Sequence, residues 1–141
     1  MRILLFDPPM QSIMQARADW YPMGLAYLAG SVKREGHEVL IYNGEHDPNL
    51  DYINLTTYSS NYHLYAEALE NPHHPVWGKI RNLITDFKPD VIGITSFSVK
   101  YPSAQRIAAI AKDYNSKIPV IMGGQHVSIM TDQVLSDKNI D

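Results

Sequence analysis

Apolar residues along the chain fall into two kinds of pattern. Four short runs are nearly unbroken: Arg2 to Phe6, His37 to Tyr42, Val91 to Thr95 and Ile118 to Met122. A run of this length, apolar on both faces, is how a buried parallel strand reads. Between the runs, apolar residues recur every three or four positions. Leu25, Leu28, Ala29 and Val32 form one such stripe, opened by Pro22 and stopped by Gly36, with Lys33 and Arg34 at the negative helix end. Ile80, Leu83, Ile84 and Phe87 mark a helix over Val76 to Phe87. Ile107, Ala108, Ile110 and Ala111 mark another, opened by Pro102, and Val127 to Leu135 reads as a last one. Strands alternating with helices predict an α/β fold, a doubly wound parallel sheet of flavodoxin-like (Rossmann-like) three-layer sandwich form. The expected strand order is 2-1-3-4, with right-handed crossovers. Asp137 to Asp141 reads as the start of a fifth strand, so the chain is expected to be a fragment, truncated before that strand, of a longer enzyme.

Two segments depart from the simple alternation. The loop from Met10 to Tyr21 is polar, aperiodic and longer than a strand-to-helix link needs. Residues 43–75 form an expected insertion in a single domain spanning 1–141, bounded by the turn signals Asn43-Gly44 and Asn71-Pro72-His73-His74-Pro75. Tyr58, Tyr62, Tyr65 and Leu69 share a helical face there, which predicts a short helix over Asn61 to Leu69 lying over the carboxyl edge of the sheet.

Composition narrows the function classes. The chain has 141 residues, 45% of them hydrophobic, enough for one core, and a formal charge of -3. That balance points to no nucleic acid and no membrane as partner. The apolar opening Met1 to Phe6 is too short for a signal peptide or a spanning helix, and the expected location is cytoplasmic. Cysteine is absent, so this chain builds no disulfide and no thiolate-held cluster.

The special residues collect at the ends of strands. Asp7, Pro8 and Pro9 follow strand one; Ser96, Phe97 and Ser98 follow strand three; Gly123, Gly124 and His126 follow strand four. In the order 2-1-3-4 these ends are neighbours, and ligands of such sheets bind outside the carboxyl ends at the point where the winding reverses. Two adjacent glycines remove two Cβ atoms and let a ligand approach the backbone; the competing reading is a tight turn. A dinucleotide fold would carry G-x-G-x-x-G after strand one, and a phosphate loop would carry G-x-x-x-x-G-K-[ST]; neither is present. A Ser/Thr-rich flavin loop is missing too. Asp7 has no acidic neighbour in sequence, which disfavours a receiver-like or other cofactor-free flavodoxin-like interaction module, the alternative reading. His73-His74 lack a third metal ligand and read as a solvated loop. Ser96 and Ser98 lack a visible base and acid, so no catalytic residue and no metal site is assigned. Trp20 and Tyr21 stand over the expected ligand face or pack beneath the loop.

Four motifs in order carry a family resemblance. They are Pro22-Met23-Gly24-Leu25-Ala26-Tyr27-Leu28-Ala29-Gly30, Gly36-His37-Glu38-Val39, Lys88-Pro89-Asp90-Val91-Ile92-Gly93-Ile94 and Gly123-Gly124-Gln125-His126. Together they resemble the N-terminal cobalamin-binding domain of cobalamin-dependent radical SAM enzymes. The resemblance implies a corrin ring across the carboxyl edge and a nucleotide tail in a pocket between the central strands. It matches Gly123-Gly124 to the position that makes room for the tail and Ser96 to a hydroxyl near the buried base. Cobalamin domains that ligate cobalt themselves carry D-x-H-x-x-G after strand one. Here Asp7 keeps the first position, but Pro9 replaces the His and Ser12 the Gly, so no lower axial His is expected. Ser96-Phe97-Ser98 likewise departs from the S-x-L pattern. The implied cofactor is cobalamin. In the parent protein the resemblance adds a 4Fe-4S cluster, S-adenosylmethionine, a downstream radical SAM barrel of the same polypeptide, and a small-molecule substrate, with methyl transfer or a related radical or cyclising reaction.

Overall fold

The computed structural model of the chain describes residues 1–18, 21–52 and 54–141. The order of elements is β1 (Arg2–Asp7), α1 (Met23–Arg34), β2 (Glu38–Asn43), α2 (Leu55–Glu70), α3 (Pro75–Phe87), β3 (Val91–Thr95), a single 3-10 turn (Ser98–Lys100), α4 (Tyr101–Tyr114), β4 (Val120–Gly123), α5 (Gln125–Ile129) and α6 (Thr131–Leu135). The strands form one parallel sheet in the order β2-β1-β3-β4. That is the expected flavodoxin-like arrangement, and its winding reverses between β1 and β3.

The period of two along each strand divides the sheet into two unequal faces. Leu4 and Phe6 of β1, Ile92 and Ile94 of β3, and Val120 and Met122 of β4 enter the larger core with Trp77, Ile80 and Ile84 of α3 and Ile107, Ala108 and Ala111 of α4. On the opposite face Ile3 and Leu5 pack with Leu25, Ala29 and Val32 of α1. The register sets Ile41, Leu5, Gly93 and Ile121 in one row across that face. Helix α1 packs on β1 and β2, and Ile121 on β4 is 56% exposed. The three-layer sandwich is therefore filled on one side and open on the other over β3 and β4.

Several expectations change in detail. The insertion contributes more than a rim. Helix α2 runs from Leu55 to Glu70 rather than from Asn61, and places Tyr65 and Ala68 in the main core beside α4. The Trp77 indole N–H donates to Ala68 O at 2.7 Å, and Arg106 donates to Leu69 O at 2.7 Å, so α2 is tied to both neighbouring helices. The first part of the insertion, around Glu45, bonds to the turn after β1 at the carboxyl edge, and Asn61 and Tyr65 of α2 reach Met14 O and Val99 O there as well. The Met10 to Tyr21 loop is anchored by Met10, Ile13 and Met14, all buried in the main core; its apolar residues serve a turn rather than a helix period. The last helix is broken at Met130 into α5 and α6. Residues 137–141 hold no strand, but the Asp141 N–H donates to Val120 O at 2.9 Å on the outer edge of β4. Trp20 lies outside the described residues.

Candidate functional site

A cleft of about 760 Å³ opens on the α1 face and runs up to the carboxyl edge of the sheet. Its floor is the row Leu5, Gly93 and Ile121. One wall is the start of α1, with Met23, Leu25 and Leu28, and the other is the segment after β3, with Phe97 and Val99. Tyr21, 82% exposed, stands at the mouth. The lining is mainly apolar, and its polar end holds Asp7, Gln11, Thr95 and Lys100. The volume lies within the roughly 300–1,000 Å³ of small-molecule and cofactor sites.

The two glycines after β4 have separate jobs. A Cβ on Gly123 would meet nothing within 4 Å, so that position opens directly into the cleft. A Cβ on Gly124 would lie 2.7 Å from Ser96 O and 2.9 Å from Ser96 N, and its φ is +101°. Gly124 is thus demanded by close packing of two backbones. Around it, Ser96 N–H donates to Gly123 O at 2.8 Å and His126 N–H donates to Ser96 O at 3.1 Å. The turn itself requires Gly124, whereas at Gly123 the missing Cβ leaves open space on the cleft side.

The residues singled out from the sequence divide along the same line. Asp7, Phe97, Gly123 and Gly124 line the cleft. Pro8, Pro9, Ser96, Ser98 and His126 stand behind that lining. The Pro9 carbonyl accepts the Ser103 hydroxyl of α4 at 2.7 Å, which fixes the turn after β1. His126 is buried, its Nδ1 lies 3.0 Å from Ser98 Oγ, and its ring stacks on Tyr101 with centroids 4.1 Å apart. Its Nε2 is buried without a hydrogen-bond partner. Tyr62 and Tyr65 also lie outside the cleft; Tyr65 is a core residue whose hydroxyl meets Ser103 Oγ at 2.9 Å.

Sequence reasoning missed the electrostatic centre of this rim. Lys100 Nζ lies 2.8 Å from Asp7 Oδ1 and 2.9 Å from Glu45 Oε1. Asp7 is 4% exposed, Lys100 5% and Glu45 0%. Glu45 Oε2 accepts the backbone N–H groups of Met10, Gln11 and Ser12 at 3.2, 2.7 and 3.3 Å. The Asn43-Gly44 turn delivers Glu45 there. Asn43 Oδ1 accepts the Glu45 N–H at 3.0 Å, and Gly44 N–H donates to Asp7 O at 2.9 Å. One ammonium therefore joins the ends of β1, β2 and β3. Asp7 has an acidic companion after all, on the far side of Lys100, which sequence distance concealed. The available signal was topological: opposite charges just beyond neighbouring strands in a 2-1-3 order.

No histidine is among the described residues that line the cleft. Among the described residues there is also no group of three or more His, Cys, Asp or Glu able to hold a metal ion. No helix among them is long and apolar enough to cross a membrane.

Comparison with known proteins adds three findings. The family model described as "B12 binding domain" matches residues 13–141. An uncharacterized methyltransferase of Pyrococcus horikoshii is 34% identical over 130 residues, covering 91% of this chain and 22% of that protein. The anaerobic magnesium-protoporphyrin IX monomethyl ester cyclase of Rubrivivax gelatinosus is 28% identical over 138 residues, 97% of this chain and 20% of that protein. The chain thus spans about a fifth of the length of these curated relatives. No solved structure matches it.

Proposed function

The chain belongs to the B12-binding domain family, and from that premise we propose that it binds cobalamin with the nucleotide tail in the α1-face cleft. The observation that carries this reading is the open space at Gly123, above the apolar row Leu5, Gly93 and Ile121. An apolar floor suits a buried aromatic base, and an absent Cβ at the edge leaves room for the linker that enters above it. Leu25 and Leu28 supply the facing wall, and Phe97 and Val99 cover the mouth. Pro9 stands where cobalt-ligating domains have His, and the described residues that line the cleft include no His. The residues that would hold the cofactor therefore offer cobalt no imidazole.

When bound, cobalamin supplies the group-transfer chemistry at cobalt. The chain's own part is to exclude water from the tail with the α1 wall and to hold the rim still. The Lys100 bridge to Asp7 and Glu45 serves the second task, because it fixes three strand ends before a ligand arrives and lowers the ordering cost of binding. A receiver-like module gains the Asp7–Lys100–Glu45 cluster that sequence distance concealed, but Asp7 is 4% exposed and engaged by Lys100, and the family match favours the cofactor reading.

We further propose that the chain serves a longer radical SAM enzyme, a transferase or cyclase. A downstream barrel of the same polypeptide would carry the 4Fe-4S cluster, S-adenosylmethionine and a small-molecule substrate. The motif resemblance supports this, together with relatives named as a methyltransferase and a cyclase. A cytoplasmic location belongs to the same proposal.

The test is retention of hydroxocobalamin. The chain is incubated with the cofactor and desalted, and its visible spectrum is recorded. Near-stoichiometric corrin absorbance is expected, with most of it lost in Gly123→Leu although that variant folds. Absence of corrin absorbance in the parent sequence overturns the reading.

A further inference from the structure

Resting on the proposed cobalamin reading, we infer that Asp7, Gln11 and Lys100 form a primary-carboxamide subsite at the polar end of the cleft. All three border the cleft, whereas Glu45 does not. The Lys100 ammonium has three N–H donors. Its nitrogen donates to Asp7 Oδ1 at 2.8 Å and lies 2.9 Å from Glu45 Oε1 without a hydrogen bond to it, so the ammonium keeps donor capacity that no described residue takes up. Asp7 Oδ1 takes the ammonium, and Asp7 Oδ2 receives no hydrogen bond from the described residues. Gln11 Oε1 is buried and unpartnered, although the Gln11 backbone N–H is anchored on Glu45 at 2.7 Å. The site thus leaves ammonium donor capacity and two acceptors, Asp7 Oδ2 and Gln11 Oε1, unused beside the cleft, and for the buried Gln11 Oε1 that is costly.

A primary carboxamide is the complement of that set. Its carbonyl oxygen accepts from Lys100, one N–H donates to Asp7 Oδ2, and the other donates to Gln11 Oε1 once the Gln11 amide turns toward the cleft. A carboxylate brings no donor and places a third anionic group beside one ammonium and two carboxylates, so it is disfavoured on both counts. The periphery of cobalamin carries primary carboxamides, and the subsite would read one of them and set the ring's orientation over the rim.

The experiment uses cobalamin and its monocarboxylates, in each of which one ring carboxamide is hydrolysed. Dissociation constants for this chain are measured by equilibrium dialysis with visible absorbance at neutral pH. At least one monocarboxylate should bind about tenfold or more weakly than cobalamin. Asp7→Asn, which removes the charge and keeps the shape, should narrow that gap to about threefold. Gln11→Leu, whose lost acceptor has no partner in the fold, should weaken cobalamin itself about threefold to tenfold with an unchanged thermal midpoint. Affinities within about twofold for all the ligands overturn the subsite while leaving cobalamin binding in place. A gap that neither variant alters also overturns it. Failure of cobalamin itself to bind removes the subsite and the proposed function together.

Discussion

Replacing Lys100 by Met keeps the length and the apolar stem of the side chain but deletes the ammonium that Asp7 and Glu45 share. Both carboxylates are almost wholly buried, and their nitrogen partner lies 2.8 and 2.9 Å away. Removing one partner of a buried ion pair costs about 3–5 kcal/mol, because the remaining charge is left uncompensated. Glu45 keeps its three backbone N–H donors, so the loss concentrates on Asp7, and the lower part of the range, about 3–4 kcal/mol, is expected. Against a domain stability of about 5–15 kcal/mol this is a large fraction. In urea unfolding, with a slope of about 2 kcal/mol per molar, the midpoint should fall by roughly 1.5–2 M at unchanged slope. The double variant Lys100→Met/Asp7→Asn should recover about half of the loss, since it removes the stranded charge. Glu38→Gln, which breaks the exposed Arg2–Glu38 pair at 3.0 Å, is the control and should cost under about 0.5 kcal/mol. A midpoint shift below about 0.3 M for Lys100→Met would refute the claim that this ammonium holds the three strand ends together.

Further outcomes follow from the same geometry. Gly124→Ala should destabilise by about 2–3 kcal/mol, because a Cβ there meets Ser96 backbone at 2.7 Å with φ at +101°. Gly123→Ala should change stability by less than about 0.5 kcal/mol yet weaken cobalamin binding, since its Cβ meets only the open cleft; thermal unfolding and dialysis separate the two effects. At alkaline pH the fold should weaken. Burial pushes the Tyr42 phenol above its ordinary 10.0, with the charges of Glu45 and Asp47 adding to it. Burial raises Tyr65 as well, partly offset by Ser103. A raised folded-state value means the native chain holds its phenolic protons longer than the unfolded chain. The stabilisation is therefore complete below about pH 10 and is lost as pH rises through the folded values. Unfolding curves across that window, read with tyrosinate absorbance, check the sign.

The sheet was legible because its strands appear as nearly unbroken apolar runs, although only β1 is buried at both alternating sets of positions and Ile121 of β4 faces the open cleft. Val91–Thr95 is matched to the residue; the alternation implied a doubly wound parallel sheet, and of the two common orders the flavodoxin-like one, expected over a dinucleotide-binding order, is the one observed. Helix α2 was read short because its first turns have no apolar stripe, with Leu55, Thr56, Ser59 and Ser60 exposed; it is packing of Tyr65 and Ala68 that makes the segment part of the core. At the site, the glycine pair was visible as a pair but not as two different jobs. Nothing in the letters Gly-Gly tells which Cβ would meet Ser96 and which would meet open space. Lys100 and Glu45 were hidden because 55 positions of sequence separate two side chains that meet at 2.9 Å. His126 drew attention as a polar residue at a helix entry, whereas its ring turns inward onto Tyr101.

The central claim is that this chain holds cobalamin by its tail and gives cobalt no nitrogen from below. It is tested most directly by reducing the bound cofactor to its Co(II) state and recording the electron paramagnetic resonance spectrum. The account predicts cobalt hyperfine lines without splitting from an axial nitrogen, since the cofactor's own base would sit in the cleft and no His is among its described lining residues. A nitrogen triplet, whether from a protein imidazole or from the cofactor's base still on cobalt, would contradict it.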